Sequence, residues 1–186
     1  MSEFAIRQRL RAHLAAPGRL LVDEVGILQG LVRADVVAVD DMIHGYEIKA
    51  AGDSLARLAR QINGYGRVFD RASVVVAPLH LRGVLAALPS WWGVLVADDV
   101  LRVEREALPH EPEPRALAEL LWTEDTIALL EQRGAARGMR GKARRLLWNR
   151  LCEVYSPAEI HAAVREVLRE RHSGPTRKTS PPMLRP

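Results

Sequence analysis

Asp35, Glu47 and Lys49 stand in two otherwise apolar runs, Arg33-Ala34-Asp35-Val36-Val37-Ala38-Val39 and Gly45-Tyr46-Glu47-Ile48-Lys49. Charges in such runs are costly to bury and call for a compensating role. If both runs are strands, Glu47 and Lys49 project from the same face, about 6–7 Å apart along the chain. A turn at Asp40-Asp41 folds the first run back on the second and brings Asp35 near that face. Two carboxylates and an ammonium converging at a sheet edge suit metal-dependent hydrolysis of a phosphodiester. Mg²⁺, or Mn²⁺ in its place, takes hard oxygen ligands, commonly one or two carboxylates with water and substrate phosphate. Asp35 and Glu47 offer those carboxylates, and the Ile48 carbonyl offers a third oxygen. The ion would polarise the phosphate and acidify a bound water. Lys49 lies beside two carboxylates, which favour its charged form. Its expected part is therefore to orient the water and offset developing negative charge rather than to act as a pure base.

The elements that must position these groups read as follows. Residues 2–15 form an amphipathic helix, with Phe4, Ile6, Leu10 and Leu14 on or near one side, and Pro17-Gly18 stops it. A short acidic element ending at Asp23-Glu24 leads to strands at 33–39 and 43–50. A helix over 54–69 buries Leu55, Leu58, Ile62 and Phe69, with Asp53 or Ser54 as its N-cap. Ser73 to Ala77 and Gly93 to Ala97 are short buried strands separated by a loop or helix over 78–88. Val100 to Val103 pairs back across Asp98-Asp99. Trp91 and Trp92 cover the core, with base stacking as their alternative role. The expected fold class is α/β, a mixed sheet flanked by helices.

The order Asp35, then Glu47-x-Lys49 on the next strand, resembles the PD-(D/E)XK nuclease superfamily, whose fold is restriction-endonuclease-like. The following helix carries Gln61-Ile62-Asn63-Gly64-Tyr65, which resembles the Gln-x-x-x-Tyr element of the exonuclease-like branches. Residues four apart share a helix face, so Arg57, Gln61 and Tyr65 form one stripe beside the site. From Glu24 to Val76, with Arg-Ala-Asp, Gly-Tyr-Glu-Ile-Lys, Gln-x-x-x-Tyr and Val-Phe-Asp, the chain most resembles a bacterial branch of that superfamily. The resemblance implies a Mg²⁺-dependent nuclease, with DNA as the expected substrate. Asp35 and Glu47 would bind metal, and Glu24 matches an upstream acidic ligand. Gln61 with Tyr65 would steady the nucleophile or the backbone phosphate. The proline that often precedes the first acid is Ala34 here.

Each of these residues also has a plain structural reading. Glu47 and Lys49 make an ion pair on a solvated strand, and Gln61 with a half-buried Tyr65 caps the sheet edge. Glu24 is an exposed charge at a helix end. Asp40 and Asp41 bond their own backbone in the hairpin turn. His80, just past a strand, is the one histidine near the expected site. Cys152 is the single cysteine, which leaves no internal disulfide or cysteine-based zinc centre, and it falls in an amphipathic helix. No run approaches the roughly 18 apolar residues that span a bilayer. Arginines at positions 7, 9 and 11 interrupt any signal-peptide core, so the cytoplasm is the expected compartment.

Pro109 to Pro114 reads as a stiff linker between a core over 1–108 and a helical extension over 115–172. Helices are expected over 115–133, 141–154 and 157–171, the last started by Ser156-Pro157. Residues 173–186 have the composition of a disordered tail. Residues 1–131 carry 14 basic and 19 acidic side chains, whereas 132–186 carry 13 basic and 4 acidic. An acidic site repels phosphate, so a basic region elsewhere is needed to hold a polyanion. Arg137, Arg140, Lys142, Arg144 and Arg145 supply one, suited to salt-sensitive, sequence-independent contact with nucleic acid. Two rival readings remain: a non-cutting nucleic-acid-binding member of the fold, and a protein-interaction adaptor. The second would use Leu146, Leu147, Trp148 and Leu151 toward a partner or in a homodimer.

Overall fold

The structure is a computed structural model and describes residues 1–173. The expected tail lies outside the described residues, apart from Ser173 at a helix end. A helix, α1 (Glu3–Leu14), precedes strands β1 (Leu20–Ile27), β2 (Val32–Val39) and β3 (Ile43–Lys49). Helix α2 (Leu58–Val68), β4 (Arg71–Val76), α3 (Leu81–Ala87), β5 (Gly93–Ala97) and β6 (Leu101–Arg105) follow. The six strands lie in chain order in one mixed sheet: β3, β4 and β5 are parallel, and the remaining pairs are antiparallel. Parallel neighbours need crossovers, which α2 and α3 supply on the same face. The chain is thus a mixed α/β fold with a six-stranded sheet flanked by helices and a helical C-terminal part.

Alternation along β3 sorts its residues. Tyr46 and Ile48 join Ile6, Leu10 and Leu14 of α1 in the apolar layer on one face. Ile43 packs with Leu58, Tyr65 and Val68 of α2 on the other. Gly45 faces α2 as well, and a Cβ there would come within 2.3 Å of the Phe69 ring. Glycine lets helix and strand approach at this point. The α2 face also receives α4 (Pro114–Ala118), α5 (Thr123–Gln132), α6 (Arg144–Val154) and α7 (Pro157–Ser173). Leu117, Leu121, Leu130, Trp148, Leu151 and Val164 belong to the same apolar cluster as the sheet.

Several elements differ from the expectation. The acidic element before the strands is itself strand β1, with Asp23 and Glu24 in its middle rather than at a helix end. Helix α2 begins at Leu58. Asp53 Oδ2 accepts from Ala50 N at 2.7 Å and Ser54 Oγ from Ala56 N at 3.1 Å, so both cap turns ahead of the helix. The helix expected over 115–133 is two helices, because the Asp125 carboxylate caps the Trp122 N–H at 2.8 Å and starts α5 anew. Phe4 is exposed, unlike its expected partners on α1. The proline-rich stretch is strapped to the sheet domain: His110 stacks on Trp91 at 4.1 Å, and Glu113 N bonds to the Arg67 carbonyl. Ser156 does cap α7, bonding reciprocally with Glu159. Among the described residues, no helix is long and apolar enough to cross a membrane.

Candidate active site

The β2–β3 ladder runs from the hairpin turn, where Asp40 Oδ1 accepts from Met42 N at 3.1 Å, to the pair Val36–Tyr46. Past that pair a side chain replaces the ladder: Asp35 Oδ2 accepts from Ile48 N at 2.7 Å. One residue on either side, Glu47 and Lys49 face α2. Both are only 3 % exposed. Lys49 Nζ donates to Glu47 Oε1 at 2.7 Å, Gln61 Nε2 donates to the same oxygen, and Tyr65 Oη donates to Oε2 at 2.9 Å. Tyr65 is fully buried, not half-wet at a sheet edge. Burial and the neighbouring charge of Glu47 push its phenol well up, so it remains a donor. Gln61 Oε1 is buried and has no partner.

These groups open into a cleft of about 220 Å³, lined by Glu3, Glu24, Leu31, Val32, Arg33, Asp35, Glu47, Ile48, Lys49, Asp53, Arg57, Arg60 and Gln61. Glu24 reaches it because β1 pairs Asp23 with Val36 and Val25 with Ala34, which sets Glu24 opposite Asp35. Its backbone has φ 59°, a left-handed conformation uncommon for a glutamate. Glu3, Glu24 and Asp35 each offer an oxygen within 4.8 Å of the others. Glu47 lines the same cleft outside that trio. The Asp35 carboxyl is raised from 3.8 to about 7, first by burial and then by the charge of Glu47, while the Ile48 N–H and Arg7 pull it down. A second positive charge here would oppose that upward shift. Carboxylate oxygens of this kind suit hard divalent ions rather than soft ones.

The structure brings Glu24, Asp35, Glu47, Ile48, Lys49, Arg57 and Gln61 together around one cleft and sets Tyr65 directly behind Glu47. His80 bonds to the Ala50 carbonyl and does not line the cleft. Arg137, Arg140, Lys142, Arg144 and Arg145 are exposed, and none lines it. Their helical region is tied to the hairpin end of β3, the far end from Lys49, through His161–Asp70 and through Arg165 and Arg169 on the Asp41 and Asp40 carbonyls. The cleft has its own rim of arginines instead: Arg33, Arg57 and Arg60. Sequence reasoning missed Glu3 and Arg7. Their four-residue spacing on α1 signals an ion pair and nothing about its location.

Another polar cluster links Ser73 Oγ to His44 Nε2 at 2.9 Å and His44 Nδ1 to Tyr46 Oη at 3.0 Å. Burial pushes the imidazole down to about 3. Ser73 itself is buried and lies against Gly93, so the array reads as a satisfied core network.

Fold and cleft together define an α/β protein with an acidic, arginine-rimmed cleft where two central strands diverge. The chain belongs to the Bacteriophage P4 protein cII family, whose pattern it matches over residues 5–179. It is similar to a protein of unknown function from Silicibacter pomeroyi, SPO1766, at 23 % identity and a TM-score of 0.43, covering 74 % of this chain and 89 % of that one. No curated protein matches.

Proposed function

We propose that the chain is a Mg²⁺-dependent nuclease that hydrolyses phosphodiester bonds, in DNA in the first instance, and works in the cytoplasm. The observation that carries this reading is the meeting of Asp35, the Glu47–Lys49 pair and Gln61 around one cleft. Asp35, Glu24 and Glu47 would hold the ion. Bound there, it would polarise the scissile phosphate and make a coordinated water more acidic. Gln61 anchors through its amide nitrogen on Glu47 and leaves its amide oxygen buried without a partner, an acceptor that a small side-chain turn would offer to a nucleophilic water. Lys49 offers a fixed positive charge for the developing phosphate oxyanion. Tyr65 holds Glu47 in place from behind. Arg33, Arg57 and Arg60 offer phosphate contacts at the mouth of the cleft.

The test is cleavage of labelled single- and double-stranded DNA with Mg²⁺, Mn²⁺ or EDTA, comparing the natural chain with Asp35→Asn. Asparagine keeps an acceptor for Ile48 N and loses the charge. Metal-dependent cutting that disappears in a folded variant is the expected result. Lys49→Ala is the poorer probe, since it strands a buried Glu47 without its cation.

One observation favours the non-cutting reading: the Arg7 guanidinium already pairs with Glu3 and Glu24 and lies near Asp35. Salt-dependent DNA binding without cutting in any metal would establish it. The adaptor reading loses its surface, because Leu147, Trp148 and Leu151 are buried and of that group only Leu146 is exposed.

A further inference from the structure

Arg7 reaches over from α1, on the opposite face of the sheet from α2, into the acidic trio. Its Nη2 lies 2.6 Å from Glu3, 2.5 Å from Glu24 and 3.7 Å from Asp35 Oδ1, and its Nη1 donates to the Asp35 carbonyl at 2.8 Å. The side chain is 12 % exposed. Its guanidinium lies among the same carboxylates, Glu24 and Asp35, that would hold a divalent ion. We infer that Arg7 is the resident counter-cation of the cleft and that a divalent ion binds by displacing it, a step that rests on the metal-dependent reading above.

The surroundings are built so that this departure leaves little unsatisfied. Glu24 keeps a second partner, Arg33 Nε at 2.6 Å. Asp35 keeps the Ile48 N–H. Glu3 is half exposed and returns to water. Arg7 itself sits in the first turns of α1, one helical turn after Glu3, which lines the cleft, and its long side chain has the reach to swing away. A purely architectural arginine would leave its carboxylates dependent on it. Here Glu24 keeps Arg33, Asp35 keeps a donor on its other carboxylate oxygen and Glu3 returns to water, so the Asp35 carbonyl is the acceptor that gives up its arginine. A cation of charge two held within a few ångströms of a guanidinium is repelled by it, so the two compete for the same oxygens.

The experiment is calorimetric titration of the full chain with MnCl₂ alone, for the natural protein, Arg7→Gln and Asp35→Asn. Arg7→Gln is expected to bind Mn²⁺ at least about tenfold more tightly than the natural protein, because the competing charge is gone. Asp35→Asn is expected to lose binding. Equal or weaker binding by Arg7→Gln, with binding by the natural protein intact, overturns displacement and leaves the metal-dependent reading standing. Silence from the natural protein and Arg7→Gln alike overturns both. Should Arg7→Gln fail to fold, the natural protein decides by nitrogen-15 NMR of its arginine side chains. Added Mg²⁺ should speed rotation of the Arg7 guanidinium as it leaves its carboxylates, and an unchanged signal at saturation overturns the inference.

Discussion

Near each end of β3 a carboxylate accepts from one of the strand's backbone N–H groups, buried Asp70 at one and half-buried Asp35 at the other, and their surroundings differ. At the hairpin end, Asp70 accepts from Ile43 N at 2.6 Å and lies 2.7 Å from His161 Nε2, so it ties α7 to the sheet. Asp40 takes Met42 N and Arg19 Nε, again joining one element to another. None of these groups lines the cleft. At the other end, Asp35 spends one oxygen on Ile48, turns the second toward Arg7 at 3.7 Å and lines the cleft. Burial of a carboxylate is thus no mark of function by itself. What sets Asp35 apart is its place on the wall of the cleft.

The largest expected effect breaks this comparison on activity. Asp35→Asn should cost about a thousandfold or more in DNA cleavage under Mg²⁺, as loss of a group acting at the transition state does. Asp70→Asn should leave the rate per folded molecule within about twofold, since it touches no reacting atom. Equal losses from both would mean that each acts only through the fold.

Stability should reverse the ranking. Asp70→Ala strands Ile43 N and the His161 ring, and chemical denaturation should show a loss of about 2–4 kcal/mol. Asp35→Asn should be close to neutral or stabilising, because it removes a buried charge held near its neighbour Glu47. A large loss at Asp35 and none at Asp70 would sink the distinction.

The cleft was more legible in the sequence than its setting. Two strands with charges out of place, and an amide and a phenol four residues apart on a helix, are local signals, and Asp35, Glu47, Lys49, Gln61 and Tyr65 do meet. Strand β1 was hidden because Asp23 and Glu24 break its apolar pattern, and Glu24, with φ 59°, lines the cleft. Arg7 and Glu3 arrive from α1, on the other face, a placement that no spacing along the chain encodes. The basic run over 137–145 is visible in composition. That its helices dock at the hairpin end depends on pairs such as His161–Asp70, ninety-one residues apart.

The basic run and the cleft rim can be separated by their salt dependence. Replacing Arg137, Arg140, Lys142, Arg144 and Arg145 by glutamine should lower the slope of log affinity against log salt by roughly 0.9 for each duplex phosphate that they neutralise. Replacing Arg33, Arg57 and Arg60 should lower both the slope and the cleavage rate. An unchanged slope in the first variant assigns all phosphate binding to the rim. An unchanged slope in the second removes the rim from the site.

The smallest effect tests Asp35 in the metal-free protein. A carboxyl raised from 3.8 to about 7 binds a proton in the folded chain at a pH where the unfolded chain has released it. Its contribution to stability is therefore fully present below the unfolded value and is lost as pH rises through about 7. Unfolding in EDTA should show the natural protein losing stability relative to Asp35→Asn across that range, by no more than about 1.4 kcal/mol per pH unit. Parallel curves would make Asp35 an ordinary aspartate, no different in kind from the carboxylates of the hairpin end. Added Mg²⁺ should flatten the natural protein's curve and leave that of Asp35→Asn unmoved. An ion bound to the charged form supplies the opposite charge whose lack holds the carboxyl up.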